Sequence, residues 1–142
     1  MGKSIIENIS RLYSRLERKE QSLRIKKGIL FKKVNQKYCI YLRCAVNDKT
    51  KTYPMSLRVQ KQACLEFAKK KGLNISKIYT DCGYSGNNLK RPALNKMLKE
   101  LKQGNLNGIV VQQPDRLARD SYLYTKIITL FKNSRVKVLF AR

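Results

Sequence analysis

From residue 37 onward the chain alternates between two kinds of apolar pattern. Short runs rich in Ile, Val, Leu and Tyr are typical of buried strands, and longer stretches carry apolar residues at helical spacing. The predicted strands lie at 38–45, 75–79, 108–112 and 136–140. The predicted helices lie at 56–71, 92–101 and 119–133. Strands that alternate with helices predict an α/β domain, with a mostly parallel sheet of about four to five strands flanked by helices on both faces.

The N-terminal segment follows a different pattern. Ile5, Ile9, Leu12 and Leu16 keep near-helical spacing among many basic residues, which predicts a basic amphipathic helix over residues 3–27. We therefore divide the chain into a helical extension (1–36) and an α/β domain (37–142). Such a helix can bind a nucleic-acid backbone, a membrane surface or a partner helix, or remain a solvated appendage.

The charge balance favours a polyanionic partner. The chain has 32 Lys and Arg against 9 Asp and Glu, a net charge of +23 over 142 residues. A field of this sign and size favours nucleic acid. Charge alone does not separate a DNA-binding enzyme from a basic RNA-binding protein.

Composition also excludes several classes of protein. The absence of His removes the usual general base and the commonest metal ligand. The four cysteines form no C-x-x-C pair and read as reduced thiols, so we expect no structural metal and no disulfide. No apolar run approaches the ~20 residues of a membrane span, and no signal peptide precedes the domain, so we expect a cytoplasmic protein without a membrane partner.

Polar groups follow three of the predicted strands. Arg43 ends the first, Asp81 begins a glycine-rich loop after the second, and the segment 115–120 (DRLARD) follows the third. Parallel strands bring these ends to one rim of the sheet, where ligands bind in open α/β folds. Arg116 and Arg119 are spaced i, i+3 on an opening helical turn, so their side chains point the same way. We therefore expect both to bind one phosphate. Clustered guanidiniums of this kind suit phosphoryl transfer.

Residues 38–140 resemble the catalytic domain of the serine recombinases, the resolvase and invertase family. The family pattern has four motifs, and all occur here in order across about 100 residues. They are Tyr41-x-Arg43, Ser56-Leu57-x-x-Gln60, Asp81-x-Gly83-x-Ser85-Gly86 running to Arg91-Pro92, and Asp115-Arg116-Leu117-x-Arg119. The long loop between Arg43 and Gln60 is more similar to the large serine recombinases and transposon enzymes than to the short resolvases.

The resemblance implies site-specific DNA recombination without a metal or nucleotide cofactor. In the family a serine attacks a DNA phosphodiester, forms a 5′-phosphoserine, and the strands are exchanged and rejoined. By resemblance, Arg43, Arg116 and Arg119 bind the scissile phosphate, and Asp115 orients an arginine or assists proton transfer. The residues that would support the pocket are Gln60, Asp81, Ser85 and Arg91. The residues that would contact DNA are Arg43, Lys90, Arg91, Arg116 and Arg119.

The chain departs from the family at the nucleophile. The motif places serine two residues after the arginine, and here that position is Ala45. A methyl group cannot attack phosphorus, so we expect the covalent step to be lost. Cys44 is adjacent, but neighbouring side chains on a strand point to opposite faces, so it is a poor substitute. Lys49 lies near the place where many members carry a glutamine.

The chain also ends at Arg142, where family members continue into a long dimerisation helix and a DNA-binding domain. We therefore expect a truncated catalytic domain that binds DNA and is impaired in cleavage. The alternative is a non-catalytic modulator, which binds DNA or a full-length recombinase as a homo-oligomer or hetero-oligomer and blocks productive assembly.

Overall fold

The computed structural model describes residues 2–45 and 55–141, and the chain forms two compact units, residues 1–35 and 36–142. The first unit is a single helix, α1 (Gly2–Asn35), longer at both ends than the predicted 3–27. The apolar side chains between residues 9 and 29, Leu12 and Leu16 among them, are exposed within this unit. No helix in the described part of the chain is long and apolar enough to cross a membrane.

The second unit contains four strands and four helices within the described residues. In chain order they are β1 (Lys37–Cys44), α2 (Met55–Lys71), β2 (Asn74–Cys82), α3 (Pro92–Lys102), β3 (Gly108–Val111), α4 (Pro114–Leu117), α5 (Ser121–Asn133) and β4 (Lys137–Phe140). All neighbouring strands are parallel, in the order β2-β1-β3-β4. The predicted α/β class, with a four-stranded parallel sheet flanked by helices, is confirmed.

The central strand β1 sends alternate side chains into two apolar clusters. Cys39 and Tyr41 pack with residues of α3 and α5, whereas Ile40 and Leu42 pack with residues of α2. Every residue of β1 after Lys37 is buried, as expected for a parallel strand covered on both faces. The sheet therefore holds the carboxyl end of β1 rigidly between two layers of helices.

The predicted end of the second strand was wrong. The sequence pattern ended it at residue 79, because the polar residues that follow resemble a loop. In the structure β2 continues to Cys82, and Asp81 lies beside Arg43 in the parallel register. Hydrogen bonding to β1 therefore overrides the local polar pattern.

The predicted helix over 119–133 was also wrong at its start. Pro114 begins the separate short helix α4, and Ala118 then takes an extended conformation. Asp120 caps α5, because its Oδ1 accepts a hydrogen bond from the Leu123 N–H at 2.9 Å. Arg116 and Arg119 consequently lie in different local structures, not on one opening helical turn.

One glycine permits the close approach of β3 to β1. A Cβ added at Gly108 would lie 2.3 Å from Cε1 of the buried Tyr38 ring. Because the Tyr38 ring is itself buried, it has little room to move away, so only glycine fits at this position.

We expect Gly108→Ala to lower the free energy of unfolding by about 1–3 kcal/mol through overpacking against Tyr38. Urea unfolding followed by circular dichroism measures the change. Lys102→Ala, at an exposed position at the end of α3, is the control and should stay within about 0.5 kcal/mol of the parent. Equal effects of the two substitutions would contradict the close approach.

Candidate functional site

Arg43 stands at the carboxyl end of β1 with its side chain fully buried. Its guanidinium donates three hydrogen bonds to backbone carbonyls. Nε bonds the Arg116 oxygen at 3.1 Å, Nη1 the Tyr84 oxygen at 3.1 Å and Nη2 the Asp115 oxygen at 2.8 Å. Arg43 therefore ties the end of β1 to the loop after β2 and to α4.

A second buried arginine, Arg91, also donates hydrogen bonds to the backbone carbonyls of α4. It donates to the carbonyl of Arg116 at 3.3 Å, to that of Leu117, and to that of Asn88 at 2.8 Å. The last carbonyls of a helix have no partner within it, so they are natural acceptors for guanidinium groups. The two arginines together fix the backbone of residues 115–117.

Gln60 on α2 holds the backbone of Arg43. Its Oε1 accepts the Arg43 N–H at 3.2 Å, and its Nε2 donates to the Arg43 carbonyl at 3.0 Å. The buried Gln60 amide thus makes the backbone hydrogen bonds that a neighbouring strand would make, at a point where the β1–β3 pairing has ended. This explains why a polar side chain occupies a core position of α2.

Asp81 is also buried, and it caps α3. Its carboxylate accepts the N–H groups of Ala93 at 2.9 Å and Leu94 at 3.0 Å, and the hydroxyl of Tyr41 at 2.8 Å. The Tyr41 oxygen in turn accepts a hydrogen bond from Nη1 of Arg91 at 3.2 Å. Burial is the largest cause that raises the pKa of Tyr41, so the hydroxyl stays protonated and able to donate.

The loop between β2 and α3 passes close to two arginines at Gly86. A Cβ added there would lie 2.9 Å from Arg43 Nη2 and 2.9 Å from Arg119 Cγ. The Gly86 carbonyl also accepts the Arg119 N–H at 3.2 Å. Ser85 and Lys90 of the same loop are exposed. The absence of a side chain at Gly86 therefore allows the loop backbone to pass close to both Arg43 and Arg119.

Arg116 and Arg119 are the more accessible arginines of this site. Arg119 is exposed and Arg116 is half-buried, with its Nη1 3.5 Å from the Arg43 carbonyl. The Nε of Arg116 and the Oδ1 of Asp115 are buried without a hydrogen-bond partner. Such groups are costly to leave unpaired, so the site has unused hydrogen-bonding capacity.

The arginine cluster (Arg43, Arg91, Arg116 and Arg119) brings four guanidinium groups together at the carboxyl edge of the sheet. In the described part of the chain, none of the four forms an ion pair, and the ion pair found there joins Lys77 and Glu100. Burial lowers the pKa of Arg43, and the positive charges of Arg119, Arg91 and Arg116 lower it further. The cluster therefore attracts anions.

An open cavity of about 460 Å³ lies beside the cluster. Its lining residues come from α4, the link after it and the start of α5: Pro114, Asp115, Ala118, Arg119, Ser121 and Tyr124. It contains one exposed guanidinium, one carboxyl group and two hydroxyl-bearing residues over a largely apolar floor. Such a surface can accept an anion at Arg119 and an apolar group beside it.

The expected nucleophile position lies at the edge of this site. Ala45 follows the last residue of β1 and is exposed. Cys44 packs on the opposite face with Ile40, Leu42 and Leu57, as the alternation of strand side chains predicted. Lys49 lies outside the described residues.

The structure brings most of the residues predicted for the site to the carboxyl edge of the sheet. Gln60 holds the backbone of Arg43, Asp81 caps α3, and Arg91 binds the carbonyls of α4. Ser85, Lys90 and Arg119 are exposed. Sequence reasoning assigned no role to Tyr41 or Gly86, although both belong to the motifs quoted above. Tyr41 sits two residues before Arg43 on one face of β1, which is the signal that could have found it. Among residues 2–45 and 55–141, no three Cys, Asp or Glu side chains group as metal ligands.

We expect Arg91→Lys to lower the free energy of unfolding by about 2–4 kcal/mol, because lysine keeps the charge but cannot make four differently directed hydrogen bonds. Arg119→Lys, the matched control at an exposed position, should leave stability nearly unchanged. Urea unfolding measures both variants. A tolerated lysine at position 91 would show that these carbonyl contacts do not hold the site together.

A family model and a curated protein each match the sequence of this chain. Residues 38–142 match the family model described as Resolvase, N terminal domain. A protein described as "Putative DNA recombinase" from Bacillus subtilis (strain 168) is 34% identical over 80 residues, which is 56% of this chain and 15% of that protein. The chain therefore spans only a small part of that relative's length.

Solved structures show the same fold. The N-terminal catalytic domain of TP901-1 integrase has a TM-score of 0.68 at 23% identity, covering 75% of this chain and 78% of that one. The C-terminal catalytic domain of ISC1926 TnpA, an IS607-like serine recombinase, has a TM-score of 0.65 at 24% identity, covering 75% and 67%. With the family model matching from β1 onward, the chain belongs to the resolvase N-terminal domain family of recombinases.

Proposed function

We propose that the α/β domain binds the phosphodiester backbone of DNA at its arginine cluster and does not cleave it. The observation that carries this proposal is the absence of any ion pair to Arg43, Arg91, Arg116 and Arg119 within the described chain. Carbonyl groups satisfy the hydrogen bonds of the buried pair but leave their charge in place. A phosphate can neutralise that charge and accept hydrogen bonds from the accessible pair.

Different arginines then have different tasks. Arg116 and Arg119 contact phosphate oxygens, and the exposed Lys90 adds a further positive charge. Arg43 and Arg91 are positioning residues, because their donors hold the backbone on which Arg116 and Arg119 stand.

Binding without cleavage follows from the residue at position 45. Transfer of a DNA strand to the protein needs an oxygen or sulfur nucleophile beside the arginines. Ala45 has neither, and the Cys44 sulfur lies in the α2-facing cluster. Ser85 is exposed, but its Oγ accepts the N–H of Asn87 at 3.2 Å in a tight turn. We propose that it supports this loop.

For the whole protein we propose a part in site-specific DNA recombination, in the cytoplasm, with DNA as the principal partner. The family and the relative described as a DNA recombinase support this proposal. The alternative is a modulator that binds DNA or a full-length recombinase and prevents productive assembly. The alanine at the nucleophile position favours this alternative, because a modulator needs no hydroxyl at residue 45.

Arg119→Gln tests the binding site. Loss of one phosphate contact should lower the slope of log affinity against log salt by about 0.9 for a short DNA duplex. Fluorescence anisotropy at several salt concentrations measures the slope. Arg135→Gln is the matched control, because this substitution removes the same charge. Arg135 precedes β4, at the amino-terminal ends of the strands and away from the arginine cluster.

The control should lower the slope much less than Arg119→Gln. If the two variants have the same slope, affinity depends on total charge alone. That result would favour a basic nucleic-acid-binding protein without a phosphate site.

Ala45→Ser tests whether the rest of the catalytic arrangement is intact. A hydroxyl restored beside Arg43 should yield a protein–DNA adduct that survives denaturing electrophoresis, whereas the parent chain yields none. Cys44→Ser is the matched control and should also yield none, because its side chain faces α2. If Ala45→Ser binds DNA but forms no adduct, the modulator alternative is favoured over an impaired recombinase.

A further inference from the structure

Two cysteines meet at the carboxyl ends of neighbouring strands. Cys44 ends β1 and Cys82 ends β2, and the two are direct partners in the parallel register. Their Sγ atoms are 3.1 Å apart. Both side chains pack against the cluster on the α2 face of the sheet, so they point to the same side.

This geometry suits a disulfide. Neighbouring strands lie about 4.7–4.9 Å apart, within the roughly 4.4–6.8 Å between Cα atoms that disulfides span. A bond of about 2.05 Å requires the two sulfurs to approach by about 1 Å, which a small side-chain rotation or shift of the strand ends provides.

Geometry and exposure separate this pair from the other two cysteines. Burial raises the pKa of Cys39 and of Cys64 to about 12, so both remain protonated and unreactive. Cys82 is half-buried, whereas Cys39, Cys44 and Cys64 are buried, so Cys82 is the one of the four that a small oxidant would reach first. Cys44 is buried directly beside it and is placed to act as the second thiol.

We propose that Cys44 and Cys82 form an intramolecular disulfide when the protein meets a small-molecule disulfide such as oxidised glutathione. One protein thiolate attacks the oxidant, giving a mixed disulfide and releasing one molecule of glutathione. The second protein thiolate then displaces the other glutathione. Overall, two protein thiols are oxidised to one disulfide, and one oxidised glutathione is reduced to two thiols.

The bond would fasten the edge of the sheet that carries the arginine cluster. The Cys44 carbonyl already accepts the N–H groups of Gly83 at 2.9 Å and Tyr84 at 3.3 Å. Cross-linking therefore fixes the start of the loop that contacts Arg43, and it constrains the unfolded chain as well. The inference is independent of the proposed DNA binding, because it depends only on the two thiols.

Oxidation of the full chain with oxidised glutathione tests the inference. Before alkylation, the mass of the oxidised chain should lie about 2 Da below that of the reduced chain, with no glutathione attached. Alkylation of the remaining thiols should then show that two of the four cysteines are protected. Tryptic digestion should join the peptides 44–49 and 78–90. The thermal midpoint of the oxidised protein should rise by about 5 °C and return on reduction.

Variants provide the controls. Cys64→Ala removes a buried thiol and should leave the cross-link intact, whereas Cys44→Ser should stop at a glutathione adduct on Cys82. A stable glutathione adduct on the parent chain, a bond to Cys39 or Cys64, or a bond between two chains would overturn the proposal. An unchanged or lower midpoint would overturn the fastening of the sheet edge.

Discussion

The arrangement of the site depends on three carbonyl groups at the end of a four-residue helix. Helix α4 is too short to be stable by itself, and its last carbonyls have no partner within it. Arg43 approaches them from β1 and Arg91 from the loop before α3, and both donate to the Arg116 oxygen. These buried guanidiniums convert an otherwise irregular link into a fixed platform. Arg116 and Arg119 take their positions from that platform, so the accessible arginines depend on the buried ones.

The platform concentrates positive charge, which has a cost for folding. Arginines buried without a carboxylate are destabilising unless their donors are satisfied, and here backbone carbonyls and Tyr41 satisfy them. The buried guanidiniums therefore have hydrogen-bond partners, but neither forms an ion pair with a carboxylate of the described residues. Asp115 and Asp120 are close to Arg119 in sequence, yet within the described chain neither carboxylate forms an ion pair that would occupy the place beside its guanidinium. Leaving that place to a phosphate exchanges stability for binding, which is common at functional sites.

The sequence predicted the order of strands and helices well, because β1 and β3 are continuous apolar runs and α2 and α3 end at clear boundaries. It failed where contacts between distant residues decide the local structure. Asp81 reads as a loop residue, yet pairing with Arg43 keeps it in β2. Arg116 and Arg119 read as part of one opening helical turn, yet Pro114, the carbonyl contacts and the Asp120 cap separate them. The identity of the arginines was visible in the motifs, but which of them are buried was not, because burial depends on the packing of α4 against β1.

The division between holding and binding arginines is the central claim, and arginine side-chain NMR tests it most directly. The Nε–Hε signals of all four can be followed while a short DNA duplex is added to the intact protein. We expect the signals of Arg116 and Arg119 to move, because these are the two arginines of the cluster whose side chains are accessible. The signals of Arg43 and Arg91 should stay in place, since their carbonyl partners persist. Large shifts at Arg43 and Arg91, with none at Arg116 and Arg119, would contradict the account.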